Sequence, residues 1–558
     1  MKMKLNRRQM LTQMGIASTI VGGAASVPAS AEIDDDAEWQ KLWSNDQPSN
    51  LNHLTIPDRQ HIKRRGRGWQ VRPTGSDDKA NLEWALRNTP PGGIVRLTHG
   101  TFKIGSPIVV ADFDGRLVGR GSNSTTVTCT DEFSLEIWEA PGGGRDRGEP
   151  KPPPFPRVPV NGSKTKTPPA LFEFYKTPLQ PGERVVDRAT KIEVRGIRCR
   201  GAMIGELWAF GDEVLCINVL NSFDWHDPEA RQQTTRQDFE MSDVEVDGYR
   251  SAEFGVFENA CACITVAGSP ISTANYNLDG ETDGDAFGLS NGGLLEFVPA
   301  PGDVTMESCL FRNCRLGPGV VGYKDGRALF SEITTDGCRG NCLQIIDNSN
   351  MTVIVRDCDL FCDSFILPPQ LVGGIEGLPS SQGCVIALQG SGAAIGYPSN
   401  LQWFQLAYNQ EAHDRHPEAG PLGTWRPQGP QAAPQRSNVI MIDNTCRSSR
   451  TANTYCFHAA DLSNFAFSQS TLRTIISNND CTDSETCISL EHIDRARVRR
   501  NECSSLAFGI ELHNSPDVVI RNNQFSFTGG EPGCEIRSLN AGAKLDLSRV
   551  VPGAGVCL

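Results

Sequence analysis

The feature that most constrains this chain is a repeat near its C-terminal end. Between Ile475 and Phe527, the segments IISNNDC (475–481), VRRNEC (498–503) and IRNNQF (520–525) recur on a step of 22 residues. Cys481, Cys503 and Phe525 keep that step, as do Asn479, Asn501 and Asn523. Ile488 and Ile510 follow it, and so do Leu490 and Leu512. A fixed period of this kind marks a repeat architecture, in which each unit buries its apolar side against its neighbours. The segments are short, alternating and rich in Val and Ile, so each reads as strand. About 22 residues suffice for one coil of three short strands with their turns, each strand stacking on its counterpart in the next coil. The expectation is an all-β solenoid.

The Asn column has a physical reason. Asn tolerates left-handed backbone angles at a sharp turn and bonds the chain through its side chain. Stacked Asn residues can also bond one another along the axis. Inward positions repeat as Ile, Leu, Val, Cys and Phe because each packs on the coils above and below. The phrase FGIELHNSPDVVIRNNQFSF (508–527) resembles a repeat of the right-handed parallel β-helix superfamily, the pectate-lyase-like fold. That resemblance is one of repeat pattern, and it implies the fold more directly than any activity.

At 558 residues the chain exceeds the usual size of a single core. A solenoid escapes that limit by growing along one axis. The 55 Gly and 35 Pro suit a turn-rich chain. No apolar run after the N-terminus is long enough to span a membrane. The N-terminus itself carries Arg7 and Arg8, a mild apolar stretch and then Ala29-Ser30-Ala31. This resembles a twin-arginine signal peptide over 1–31, which implies export to the periplasm or beyond; an ordinary secretory signal that happens to hold two Arg is the alternative. Residues 1–31 hold Lys2, Lys4, Arg7, Arg8 and no acid, so their removal takes the formal charge from −13 to −17. Such a chain is a poor general binder of nucleic acid or anionic membrane. An anionic polysaccharide would need a local basic patch or a bridging cation.

Nineteen cysteines in an exported chain invite a disulfide reading. Their spacing argues otherwise for many. Cys314, Cys338 and Cys362 lie 24 residues apart and Cys481 and Cys503 lie 22 apart, which puts each set on one corner of successive coils. Stacked free thiols acting as small hydrophobes fit that pattern.

Taken in order, 32–74 reads as an N-terminal arm, acidic at first and basic through HIKRRGRGWQVR (61–72). Ser76-Asp77-Asp78 opens a helix that would cover the bare first coil, and Pro90-Pro91-Gly92-Gly93 stops it. The β-helix is expected over 75–530, interrupted at about 132–170, 221–238 and 364–436, with 531–558 as a C-terminal tail or cap. Long insertions on a solenoid often form a binding wall.

Within this superfamily two chemistries act on sugar chains along one sheet: β-elimination beside a uronate carboxylate, often with calcium, and hydrolysis by paired carboxylates. Three stretches carry suitable residues. In LDGETDGDAFG (278–288), Asp279, Glu281, Asp283 and Asp285 alternate between turn-forming glycines. They are candidate calcium ligands, and Asp283 and Asp285 are also candidate catalytic acids; a plain acidic turn is the alternative. In GYKDGR (322–327), Lys324, Asp325 and Arg327 put base, acid and cation in one span, although Lys-Asp-Gly is also an ordinary turn. A step of 24 sets Lys324 and Asp325 opposite Asn348 and Ser349. On the last coils Glu491 stacks on His513 and His492 on Asn514, with Glu511 and Asp494 close by and His458 and Asp461 expected on the preceding coil. Histidine beside carboxylates on an exposed sheet suits acid–base work, and polar side chains are also what any exposed sheet carries.

The sequence therefore points to a right-handed parallel β-helix with an N-terminal capping helix and long loop insertions. Its resemblance implies an exported carbohydrate-active enzyme cleaving an acidic polysaccharide, as lyase or glycoside hydrolase. A non-catalytic surface β-helix binding glycan or protein, and a uronate epimerase, remain alternatives. An enzyme should show a converging acid, base and aromatic ring; a binding protein should show scattered polar groups.

Overall fold

The computed structural model describes residues 54–130, 170–176, 188–200, 202–203, 213–220, 235–247, 264–267, 269–272, 295–298, 300–312, 314, 317–338, 341–346, 348–363, 382–389, 436–449, 454–461, 472–493, 495–515, 517–529, 533–539 and 556–557. Thirteen strands form one sheet, from Ile62–Arg65 to Val518–Arg521. A 22-stranded sheet makes up the remaining walls. Its pairings follow two rows, which fuse where the 12-residue strands Asp480–Glu491 and Glu502–His513 run through both. Each full coil thus offers three faces: the thirteen-stranded first face, a second face after a tight turn, and a third face before the chain returns. Successive coils pair parallel and in register, as in Thr352–Arg356 on Asn438–Ile442. This is a parallel β-helix, as the repeat predicts.

The tight turn explains the Asn column. The residue that takes the left-handed backbone is the one before each column member: Asn478 at φ 57°, Arg500 at 56° and Asn522 at 55°. Asn479, Asn501 and Asn523 instead turn inward and are buried. Asn479 Nδ2 donates to Asn501 Oδ1 at 2.9 Å, and Asn501 Nδ2 donates to Asn523 Oδ1 at 2.9 Å. Each Oδ1 also accepts the backbone N–H of the Asn one coil earlier. The ladder extends up to Asn444, which bonds Asn479 at 2.9 Å. Earlier coils fill the same corner with Val244, Cys309, Ile333 and Cys358, so polar pairing replaces apolar packing only in the last coils.

The core is apolar and thiol-rich. Cys446, Cys481 and Cys503 stack in register, and Cys338 stacks on Cys362. Every described cysteine from Cys129 to Cys503 is a free thiol, nearly all buried. Cys534 departs from this pattern and is disulfide-bonded.

The helix spans Lys79–Arg87 and buries Leu82, Ala85 and Leu86. Asp78, fully buried, ties its start down: one carboxylate oxygen accepts the Thr74 N–H at 2.7 Å and the other the Lys103 N–H at 2.9 Å. Trp84 meets Trp69 edge-on at 4.8 Å, closing the first coil against water.

Three boundaries differ from the sequence reading. The basic run of the arm is a hairpin, Ile62–Arg65 against Gly68–Val71, which begins the first face and whose second strand starts its parallel pairing. Its charges alternate with buried Ile62, Trp69 and Val71, a strand pattern that the density of Lys and Arg obscures. The stretch 364–436 is not one interruption, because Gln382–Gln389 is a full strand of the third face. The tail beyond 530 still coils: Cys534–Leu539 pairs with Glu502–His513, and Val556–Cys557 pairs with Cys534–Leu539. The segment 1–31 and most of the three interruptions lie outside the described residues.

Candidate functional site

The acidic run holding Asp279, Glu281, Asp283 and Asp285 lies outside the described residues. Among the described residues no group of three or more His, Cys, Asp or Glu stands where it could hold a metal ion.

Lys324 ends the short strand Tyr323–Lys324, Asp325 makes the corner at φ 53°, and Arg327 begins Arg327–Ser331. Their bonds belong to the corner. The Asp325 carboxylate accepts Asn350 Nδ2 at 2.8 Å, and the Arg327 backbone N–H donates to Asp303 Oδ1 at 2.8 Å. Lys324 pairs with Ser349, not Asn348. This coil is one residue longer than a step of 24, since Arg327 pairs with Thr352.

The last coils do bring their residues together. Glu491 pairs with His513 as the 22-residue step requires. Beside them a second column runs in register over four consecutive coils: His458, Ser489, Glu511 and Arg537. These positions alternate with Phe457, Ile488, Leu490, Ile510 and Leu512, which fill the core, so they point out of the solenoid. Glu511 is the hub. Its Oε1 accepts Arg537 Nη1 at 3.1 Å and lies 3.3 Å from His513 Nε2. His458 Nδ1 lies 3.1 Å from Ser489 Oγ, while its Nε2 is buried without a hydrogen-bond partner. The Tyr455 ring sits 5.0 Å from the His458 ring, and the Arg537 guanidinium lies 4.6 Å over the Phe508 ring.

The environment drives the two imidazoles apart. Burial, helped by the His513 charge, pulls His458 down to about 4 and keeps it neutral. Burial also acts against the His513 cation, but the bond and charge of Glu511, with Glu491 behind, outweigh it and raise that pKa. Burial acts to raise Glu511, yet His513 and Arg537 together hold it below the ordinary carboxylate range. The cluster therefore offers a histidine held neutral, a second histidine whose charged form is favoured, and a carboxylate held ionised by a cation. Two groups with opposed protonation states are what acid–base chemistry uses. His513 and Arg537 reach solvent, with side chains 34% and 36% exposed, whereas His458 is 3% exposed.

His492 is a corner residue at φ 54°, mostly buried, with Nε2 3.6 Å from Glu491 Oε1. It shares that corner with Asn514 at φ 45°. Asp461 is withdrawn from any site, since it is buried and accepts the Leu472 N–H at 2.8 Å. Lys324 occupies the same corner as His492 but four coils earlier, about 19 Å away at about 4.8 Å per strand. The two stretches do not form one site.

Tyr455, Ser489 and Arg537 escape the sequence reading because they break the period. Arg537 follows Glu511 by 26 residues, and Ser489 follows His458 by 31. The alternation in CEIRSL (534–539) is the signal that extends the repeat to Arg537.

No family model matches the chain, and no curated protein matches it. Among solved structures it is similar to PfbA, a surface adhesin of Streptococcus pneumoniae, at 12% identity and a TM-score of 0.43, covering 84% of this chain and 91% of that one. It is similar to polygalacturonase from Erwinia carotovora ssp. carotovora at 10% identity and 0.41, covering 87% and 99%. The periplasmic alginate epimerase AlgG gives 9% identity and 0.39, covering 95% and 90%. At such identities the likeness is one of fold alone, and the assignment of this chain to the parallel β-helix fold stands on its own strand register.

Proposed function

We propose that this protein is an exported carbohydrate-active enzyme that cleaves an acidic polysaccharide by elimination on the third face of its last coils. One observation carries the reading: Glu511, His513 and Arg537 converge at one point, with the Phe508 ring under Arg537 and neutral His458, beside the Tyr455 ring, two coils away in the same column. Scattered polar groups would have favoured a binding protein. Elimination is preferred to hydrolysis by two carboxylates. A hydrolase keeps one carboxyl protonated as general acid, whereas Glu511 is held ionised by Arg537 and His513.

In this reading Arg537 faces the uronate carboxylate and offsets the charge that builds there as the neighbouring C–H proton leaves. The neutral imidazole of His458 takes that proton. His513, as imidazolium, gives one to the departing glycosidic oxygen, and a carbon–carbon double bond remains on the sugar. Glu511 orients His513 and keeps it charged. Substrate entry has to uncover His458. Export rests on the Arg7-Arg8 segment, and calcium, which would sit on the acidic run 279–285, is the cofactor to test.

The test is to incubate purified protein with polyuronates and neutral polysaccharides, with calcium and with chelator. Ultraviolet absorbance reports unsaturated ends and a reducing-end assay reports any cleavage. Absorbance that His513→Ala abolishes supports the reading. Reducing ends without absorbance would make it a hydrolase. Proton exchange with heavy water without cleavage would make it an epimerase. Folded protein silent on every substrate would sink the enzyme reading in favour of a binding role.

A further inference from the structure

The first face of the same coils carries an arginine cluster that the acid–base site does not use. Arg473 on Leu472–Ser477, and Arg495, Arg497 and Arg499 on the next strand, alternate with buried Thr474, Ala496 and Val498 and so point outward. Arg473 stands directly opposite Arg495, with Ile475 opposite Arg497. Arg436 opens onto the adjoining strand, and desolvation first, then the charges of Arg436, Arg495 and Arg497, push the Arg473 pKa down. Among the described residues no carboxylate pairs with Arg473, Arg495, Arg497 or Arg499.

Earlier coils of this face carry mixed charges instead. There Arg116 pairs with Glu193 and Lys191 bridges to Glu240, so the like pair that Glu193 and Glu240 make across the strands is offset by cations. Like charges directly opposite one another destabilise a sheet. A chain with a formal charge of −13 has acids to spare for that position, yet it places guanidinium groups there. An array maintained at that cost fits an anionic occupant that supplies the missing charge.

The layout selects the occupant. The arginine positions lie about 4.8 Å apart across coils, where Arg473 stands opposite Arg495, and about 7 Å apart along the strand, on the outward side of a sheet. A single small anion could meet one or two of them. A linear polymer with a carboxylate or sulfate on each unit could meet several, through the paired N–H groups that suit arginine. Ile475 between the arginines offers an apolar floor to a sugar ring. We infer that this face binds a linear anionic polysaccharide at a site separate from the Glu511 cluster. The inference rests on the charge array and stands whether or not the protein is an enzyme.

The test uses whole protein, polygalacturonate and dextran sulfate as probes, phosphatidylglycerol vesicles as the competing surface, and affinity electrophoresis or sedimentation as the readout. The combined variant Arg495→Ser, Arg497→Ser, Arg499→Ser should bind the polysaccharides at least about tenfold more weakly. The corresponding triple Lys variant, which keeps the charge but not the paired N–H groups, should bind more tightly than the Ser variant and more weakly than wild type, and Lys324→Ala, a cation outside both clusters, should bind as wild type. Binding of wild type should fall as salt rises. Undiminished binding by the Ser variant, equal loss in Lys324→Ala, or binding to vesicles but to neither polysaccharide would overturn the proposal.

Discussion

Glu511 and Arg537, 26 residues apart in the chain, meet across adjacent coils with Oε1 and Nη1 at 3.1 Å. That pair leaves Glu511 ionised, and Glu511 in turn holds the His513 proton. A strand register therefore sets a protonation state, and several consequences can be measured.

Glu511→Gln removes the charge but keeps the shape. His513 should then lose its proton at lower pH, and the alkaline limb of the pH–rate profile should move down. Turnover should fall by about two orders of magnitude if His513 is the acid. A profile that does not move would separate Glu511 from catalysis. The pair also has a stability window. Glu511 is lowered from 4.5, so its contribution is lost as pH falls through its folded pKa. His513 is raised from 6.5, so its contribution is lost as pH rises through its folded pKa. Both are fully present only between the unfolded values, 4.5 and 6.5.

His458 should make the fold acid-sensitive. Its folded pKa near 4 lies below the ordinary 6.5, so the unfolded chain takes a proton that the native protein refuses. The cost is absent above 6.5 and grows to about 3 kcal/mol as pH falls to 4. Urea unfolding of His458→Gln at pH 7 and pH 4 should show a smaller loss than wild type by about that amount. Equal losses would mean that His458 titrates normally.

Asn501→Ala should cost about 2–4 kcal/mol, because it strands buried donors on Asn479 and leaves Asn523 Oδ1 without one of its donors. Thermal or urea unfolding measures it. A cost below about 1 kcal/mol would show that the coils can close the ladder without it.

Lys324→Ala should leave activity within about twofold of wild type, since Lys324 lies about four strand spacings from Glu491. Steady-state kinetics on the substrate found above decides it. A tenfold loss would bring that corner into the site.

Cys481 and Cys487, fully buried with pKa values raised well above the ordinary thiol by desolvation, should resist maleimide in native protein and react after denaturation. Rapid native labelling at these residues, read by peptide mapping, would contradict a packed thiol column.

How much of this was legible follows from where the period holds. Asn479, Asn501 and Asn523 repeat at 22, and their ladder was readable from that step. The left-handed residue was not, because Arg500 takes the same φ as Asn478 and Asn522, so the requirement is on the backbone and no single side-chain type marks it. Glu491 over His513 was readable for the same reason as the ladder. His458, Ser489 and Arg537 were not brought into one column, because the chain between them changes length from coil to coil while the stacking distance does not.

By itself, then, the sequence determined the solenoid, its inward thiols and its capping helix, since these depend on local alternation and a nearly constant step. Only the tertiary structure decided that Glu511 would lie between His513 and Arg537, and that arginines would face arginines one face away. Register is counted in strands about 4.8 Å apart and not in residues, so side chains separated by 22, 26 or 31 positions can occupy equivalent places on neighbouring coils.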